Sequence, residues 1–200
     1  MGDLGLLMAL RVQGIASPVR ASVASGDELS AVTARLTELV SEEVVTERSG
    51  RHVGFTLTNK GAELLGQLLS EEGLRANERL QHCYNRFLMV NESVLQACSD
   101  WQVRRDSGMN IPNDHSDPSY DHAVIDALVE LHGRTKRFLK QMAACSARFL
   151  LYEARLDDCV ERLLCGDRTA FNALLVESYH TVWFELHQDL MLTLGLEREG

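Results

Sequence analysis

The segment Val44–Leu65, VVTERSGRHVGFTLTNKGAELL, constrains this chain more than any other. Val44, Val45, Val53, Phe55 and Leu57 are branched or aromatic, and they flank a turn that contains Gly50. That composition predicts a half-buried β-hairpin. Thr58-Asn59-Lys60-Gly61 then opens a helix. Arg48, Arg51 and His52 give the hairpin a basic tip.

Three helical patterns precede the hairpin. Leu4 to Val12 carries Leu4, Leu7, Met8 and Arg11 at helical spacing. Ser17-Pro18 starts a second helix, since serine caps and proline suits the first helical position; Gly26 ends it. Asp27 is expected to open the third, with Leu29, Val32, Leu36, Leu39 and Val40 on one face. Its outer face holds Ser30, Thr33, Ala34, Arg35, Thr37 and Glu38.

Two motifs frame the hairpin. One is Leu39-Val40-Ser41-Glu42-Glu43-Val44-Val45-Thr46-Glu47-Arg48, the other Leu57-Thr58-Asn59-Lys60-Gly61. In these and in element order, residues 4–70 resemble the MarR-type winged-helix transcriptional regulators. Glu43 stands where that family's pattern has glycine at a left-handed helix end. The resemblance implies an N-terminal winged helix-turn-helix over 1–70 that binds double-stranded DNA as a homodimer. The third helix would then enter the major groove through Ser30, Thr33, Arg35 and Thr37, with Arg35 able to pair bidentately with guanine. Arg20, Arg48, Arg51 and His52 would touch the backbone or minor groove.

Charge tempers this expectation. The chain has a net charge of -9, and residues 1–70 carry Arg11, Arg20, Arg35, Arg48, Arg51 and Lys60 against eight acidic residues. Glu38, Glu42, Glu43 and Glu47 crowd the expected reading helix and would repel phosphate. A winged helix that docks on a partner protein is therefore the alternative.

After Ser70 the patterns are helical, predicting a mainly α chain whose second part, 71–200, is an antiparallel bundle; in the regulator expectation that bundle dimerises and is the candidate to sense a small-molecule effector. Helices are expected over about 74–103, 120–142, 147–164 and 167–194, with a polar loop, RDSGMNIPNDHSDPS, over 105–119. Trp101, Tyr152, Tyr179, His180, Trp183, Phe184 and His187 are candidates to line a pocket; the same aromatics also suit a core. Glu177 and His180 form a single Glu-x-x-His pair, whereas bundle metal sites need two. Five cysteines without CxxC spacing suggest neither a zinc site nor a disulfide framework. No nucleophile motif or phosphate loop is present. The expectation is a cytoplasmic regulator that is not an enzyme, with no metal, no cofactor and no membrane segment.

Overall fold

The computed structural model describes residues 2–50, 53–106, 108–174 and 176–196. Arg51 and His52, at the expected basic tip, lie outside the described residues. The described chain is mainly helical, and its contacts divide it into two units: 1–77 with 187–200, and 78–186. The first unit extends past the expected boundary at residue 70 and takes back the end of the chain.

In the first unit, α1 (Asp3–Gln13), α2 (Pro18–Ser25) and α3 (Leu29–Ser41) lead to β1 (Val45–Arg48), β2 (Gly54–Leu57) and α4 (Asn59–Glu72). Ser17 Oγ accepts from the Arg20 amide at 3.3 Å, and Gly26 ends α2 in a left-handed conformation. The cap of α3 is Glu28 rather than Asp27: its carboxylate accepts from the Ser30 amide and hydroxyl. Leu6, Leu7, Leu10, Val32, Leu36, Leu39, Val44, Val45, Leu65 and Leu69 form the buried core. Leu29 and Val40, expected on the inner face of α3, are exposed.

β1 and β2 pair antiparallel, with Val45 opposite Leu57 and Arg48 opposite Gly54. A third stretch joins them, because Ala16 and Phe55 exchange backbone hydrogen bonds at 3.0 and 2.8 Å. Gly54 permits the approach: its φ is +151°, and a Cβ there would lie 2.6 Å from the Ala16 carbonyl oxygen.

The end of α3 resolves the Glu43 departure. Glu43 has φ +59°. The Glu43 amide bonds to the Val40 carbonyl and the Val44 amide to the Leu39 carbonyl, at 3.0 and 2.9 Å. That is the Schellman pattern, with glutamate in the position glycine usually fills. A Cβ in the left-handed region costs energy, so Glu43→Gly should stabilise the fold by about 0.5–1 kcal/mol in chemical denaturation.

The second unit holds α5 (Glu78–Gln102), β3 (Val103–Asp106), β4 (Met109–Pro112), α6 (Pro118–Ala143), α7 (Phe149–Leu164), α8 (Thr169–Asn172) and the first half of α9 (Tyr179–Leu194). α5, α6, α7 and this half of α9 make an antiparallel bundle. Phe87 meets Phe138 near one end of the α5–α6 pair, and the Tyr120 hydroxyl donates to the Asp100 carbonyl near the other. His132 with Asp157, and Lys140 with Glu153, set α6 against α7 in the same opposed sense.

Two expectations are corrected here. The stretch 105–119 is not simply a loop, because β3 and β4 pair from Val103↔Pro112 to Asp106↔Met109. The helix expected over 167–194 is two. Asp167 accepts from the Thr169 amide and hydroxyl to start the short α8, and Ser178 and Thr181 bond reciprocally to start α9. Gly73, with φ +71°, separates α4 from α5. Among the described residues no helix is long and apolar enough to cross a membrane.

Candidate functional site

The expected DNA-reading residues divide sharply. Ser30, Thr33 and Thr37 stand exposed on α3. Thr33 and Thr37 donate their hydroxyl protons back to the Leu29 and Thr33 carbonyls at 2.7 and 3.1 Å. Their oxygens remain able to accept a further bond. Arg48 is exposed on β1, and Arg20 is partly buried in the first turn of α2.

Arg35 has a different setting from the one its sequence suggests. Its Nε and Nη2 clasp the two oxygens of Asp3 at 2.9 and 2.8 Å. Its Nη1 binds Glu38 and Glu42 at 2.8 and 2.9 Å, and Nη2 also reaches Glu42 at 3.5 Å. A guanidinium has five N–H donors, and five carboxylate contacts occupy them. The same contacts raise the Arg35 pKa, chiefly through Asp3, and hold the Asp3 carboxyl below its ordinary value. In this arrangement Arg35 ties α3 to α1 and has no donor left for a base. Its charge is also outnumbered locally. Glu28, Glu43 and Glu47 are exposed nearby, while Lys60 gives a bond to the Glu42 carbonyl at 2.7 Å.

The expected pocket residues do not line one cavity. Trp183 is buried and stacks on Phe87 at 4.5 Å, with Tyr179 stacked on its other neighbour side at 6.2 Å. The Trp183 indole N–H donates to Asn91 at 2.9 Å. Trp101 lies flat on Phe171, 4.5 Å away and 3° from parallel. Tyr152 is buried beside Phe149 and Arg155. His180 is half-buried, which lowers its pKa; Phe184 is exposed; His187 belongs to the other unit. Trp101, Tyr152, Tyr179 and Trp183 are part of the bundle core.

Three polar clusters inside the bundle are not visible from spacing. In the first, His132 Nε2 lies 2.6 Å from Asp157, which also takes Lys136 at 2.8 Å, and the Tyr179 hydroxyl faces His132 Nδ1 at 3.4 Å. Burial lowers the His132 pKa against the pull of Asp157, and burial raises that of Tyr179. In the second, Arg155 bridges Glu177 and Glu185 at 2.8 and 2.7 Å. That occupies the carboxylate of the Glu177–His180 pair.

The third cluster surrounds Asp121, which is 2% exposed. Its carboxylate accepts from Asn113 Nδ2 at 3.0 Å and faces His115 Nδ1 at 3.0 and 3.1 Å. Asn113 Nδ2 also donates to the Trp101 carbonyl, and the His115 ring leans on Trp101 at 4.6 Å. His115 takes φ +59° to reach this position. Arg168 approaches Asp121 at 3.5 Å. The available signal was a histidine inside the polar run Asn113-Asp114-His115-Ser116-Asp117.

None of the described cysteines is in a disulfide: Cys83, Cys98 and Cys159 are buried, Cys145 is intermediate and Cys165 exposed. Burial pushes the Cys98 and Cys159 thiols up to about 12, which makes them unreactive. Among the described residues no group of three or more His, Cys, Asp or Glu is arranged to hold a metal ion. Comparison with protein-family models, with curated proteins and with solved structures finds no match.

Proposed function

We propose that the first unit is a winged helix and that the chain is a DNA-binding transcriptional regulator, active as a homodimer with an effector-responsive bundle. The observation that carries this reading is the order α1, α2, α3, hairpin, α4, with the hairpin joined to the Ala16 stretch and α3 turned into it through Glu43. In this reading Arg20 and Arg48 contact phosphates, together with Arg51 and His52, and the α3 hydroxyls of Ser30, Thr33 and Thr37 approach base edges.

The test is a mobility-shift titration over a salt series. Arg20→Ala and Arg48→Ala should each weaken binding to all sequences and lower the salt slope by about 1. Arg35→Ala should leave base preference unchanged and cost about 1 kcal/mol of stability, because it removes a largely surface ion-pair network. A loss of base preference in Arg35→Ala would restore the guanine-reading role.

A second reading is a protein-docking winged helix. It is favoured by Val19, Val23, Leu29 and Val40, which are exposed on α2 and α3 among Glu28, Glu38, Glu42 and Glu43. Absence of any DNA shift at about 50 mM salt, where phosphate contacts are strongest, would favour it over the first.

A further inference from the structure

A cavity of about 380 Å³ opens between the start of α6 and the end of α7, lined in part by Asp121, Ile125, Asp126, Leu163, Leu164 and Arg168. Its volume suits a small ligand. Its lining carries both signs of charge, with the Arg168 guanidinium 3.5 Å from the Asp121 carboxylate and Asp126 further along α6, beside aliphatic side chains.

Arg168 is held less tightly than Arg35, Arg155 and Arg162. Arg35, Arg155 and Arg162 are clasped by carboxylates at 2.7–3.0 Å. Arg168 reaches Asp121 and the His115 carbonyl only at 3.5 Å each, and its side chain is 52% exposed. Bonds at that length hold a guanidinium loosely, so its planar fork can turn to a ligand carboxylate. Asp121 is the opposite: buried, and fixed from behind by Asn113 and His115. Asn113, His115 and Arg168 help to keep its carboxyl ionised despite its burial. Asp126, five residues further along α6, is exposed at the cavity. An exposed carboxylate there can take an ammonium group. Ile125, Leu163 and Leu164 leave room for an apolar substituent between the charged ends.

We infer that this cavity binds a small zwitterion, an α-amino acid with an aliphatic side chain, with Arg168 taking the carboxylate and the exposed Asp126 the ammonium. This rests on the effector part of the regulatory reading, and it gives that effector a chemical class. An anion alone would face two carboxylates, and an amine alone would face Arg168. Both single-charge fragments are therefore disfavoured by the same geometry.

Isothermal titration of the full-length protein tests this with four probes: L-leucine, 4-methylpentanoate, 3-methylbutylamine and inorganic phosphate. Leucine should bind, and each of the other three should bind at least tenfold more weakly. Arg168→Gln and Asp126→Asn, both at exposed positions, should each weaken leucine at least tenfold, while Arg168→Lys should lose less. No leucine binding would overturn the inference. So would phosphate or 4-methylpentanoate binding as well as leucine, which would mark a plain anion site, or unchanged binding in both variants. Titration does not involve DNA, so DNA binding without leucine binding refutes only the zwitterion site, and the reverse refutes only the DNA reading.

Discussion

Arg155→Ala should destabilise the protein by about 3–5 kcal/mol, the range expected when one partner of a buried ion pair is removed. Arg155 sits on α7, 6% exposed, and joins Glu177 and Glu185 through bonds of 2.7–3.0 Å. Glu185, on α9, is 4% exposed. Without the guanidinium its charge would stay in a poorly solvated interior, and the guanidinium's packing over the Tyr152 ring would also go. Domains are stable by only about 5–15 kcal/mol, so the loss should be plain in a urea titration. The penalty belongs to the stranded carboxylate rather than to the value of the bridge. Arg155→Met combined with Glu185→Leu should therefore recover most of it. A loss under about 1 kcal/mol in the single variant would show that water already reaches this network.

Gly61→Ala is expected to cost about 3 kcal/mol, at the upper end of overpacking effects. A Cβ on Gly61 would sit 2.1 Å from the Val44 carbonyl oxygen, and backbone cannot step aside as a side-chain tip can. That same oxygen accepts from the Thr58 amide and hydroxyl at 3.1 Å, so displacing it would also disturb the cap of α4. Here lies the physical reason for glycine in Leu57-Thr58-Asn59-Lys60-Gly61: the first turn of α4 presses onto the strand that follows α3. Gly66, on the same helix, supplies the control. Nothing lies within 4 Å of a Cβ there, so Gly66→Ala should stabilise by about 0.5–1 kcal/mol through helix propensity. Equal effects at the two positions would contradict the close approach at Gly61.

The first unit was legible because its signals are local. Caps at Ser17 and Thr58, a stop at Gly26 and branched residues along the hairpin each specify structure within a few positions. The second hairpin was not, because VRRD does not alternate, MNIP alternates over too few residues to mark a strand, and both adjoin a run rich in Asp, Asn and Ser. The break between α8 and α9 carries no Gly or Pro from Asp167 to Leu194; the reciprocal Ser178–Thr181 pair was its one sign. The clasp around Arg35 is hidden from the sequence for a similar reason. Glu38 and Glu42 lie three and seven positions along the same helix, but Asp3 comes from α1, and only the packing of α1 on α3 delivers it. The Asp121 cluster likewise draws on α5, the loop after β4, α6 and Arg168, a convergence that spacing along the chain does not reveal.

Selection of bound duplexes from a random pool by the full-length protein, at about 50 mM salt and again at about 200 mM, tests the regulatory reading most directly. The expected result is an enriched two-fold symmetric site, recovered best at low salt, with half-sites about one helical turn apart. A pool that shows no enrichment at either salt concentration would contradict DNA binding and leave the acidic, apolar α2–α3 face as a protein-docking surface.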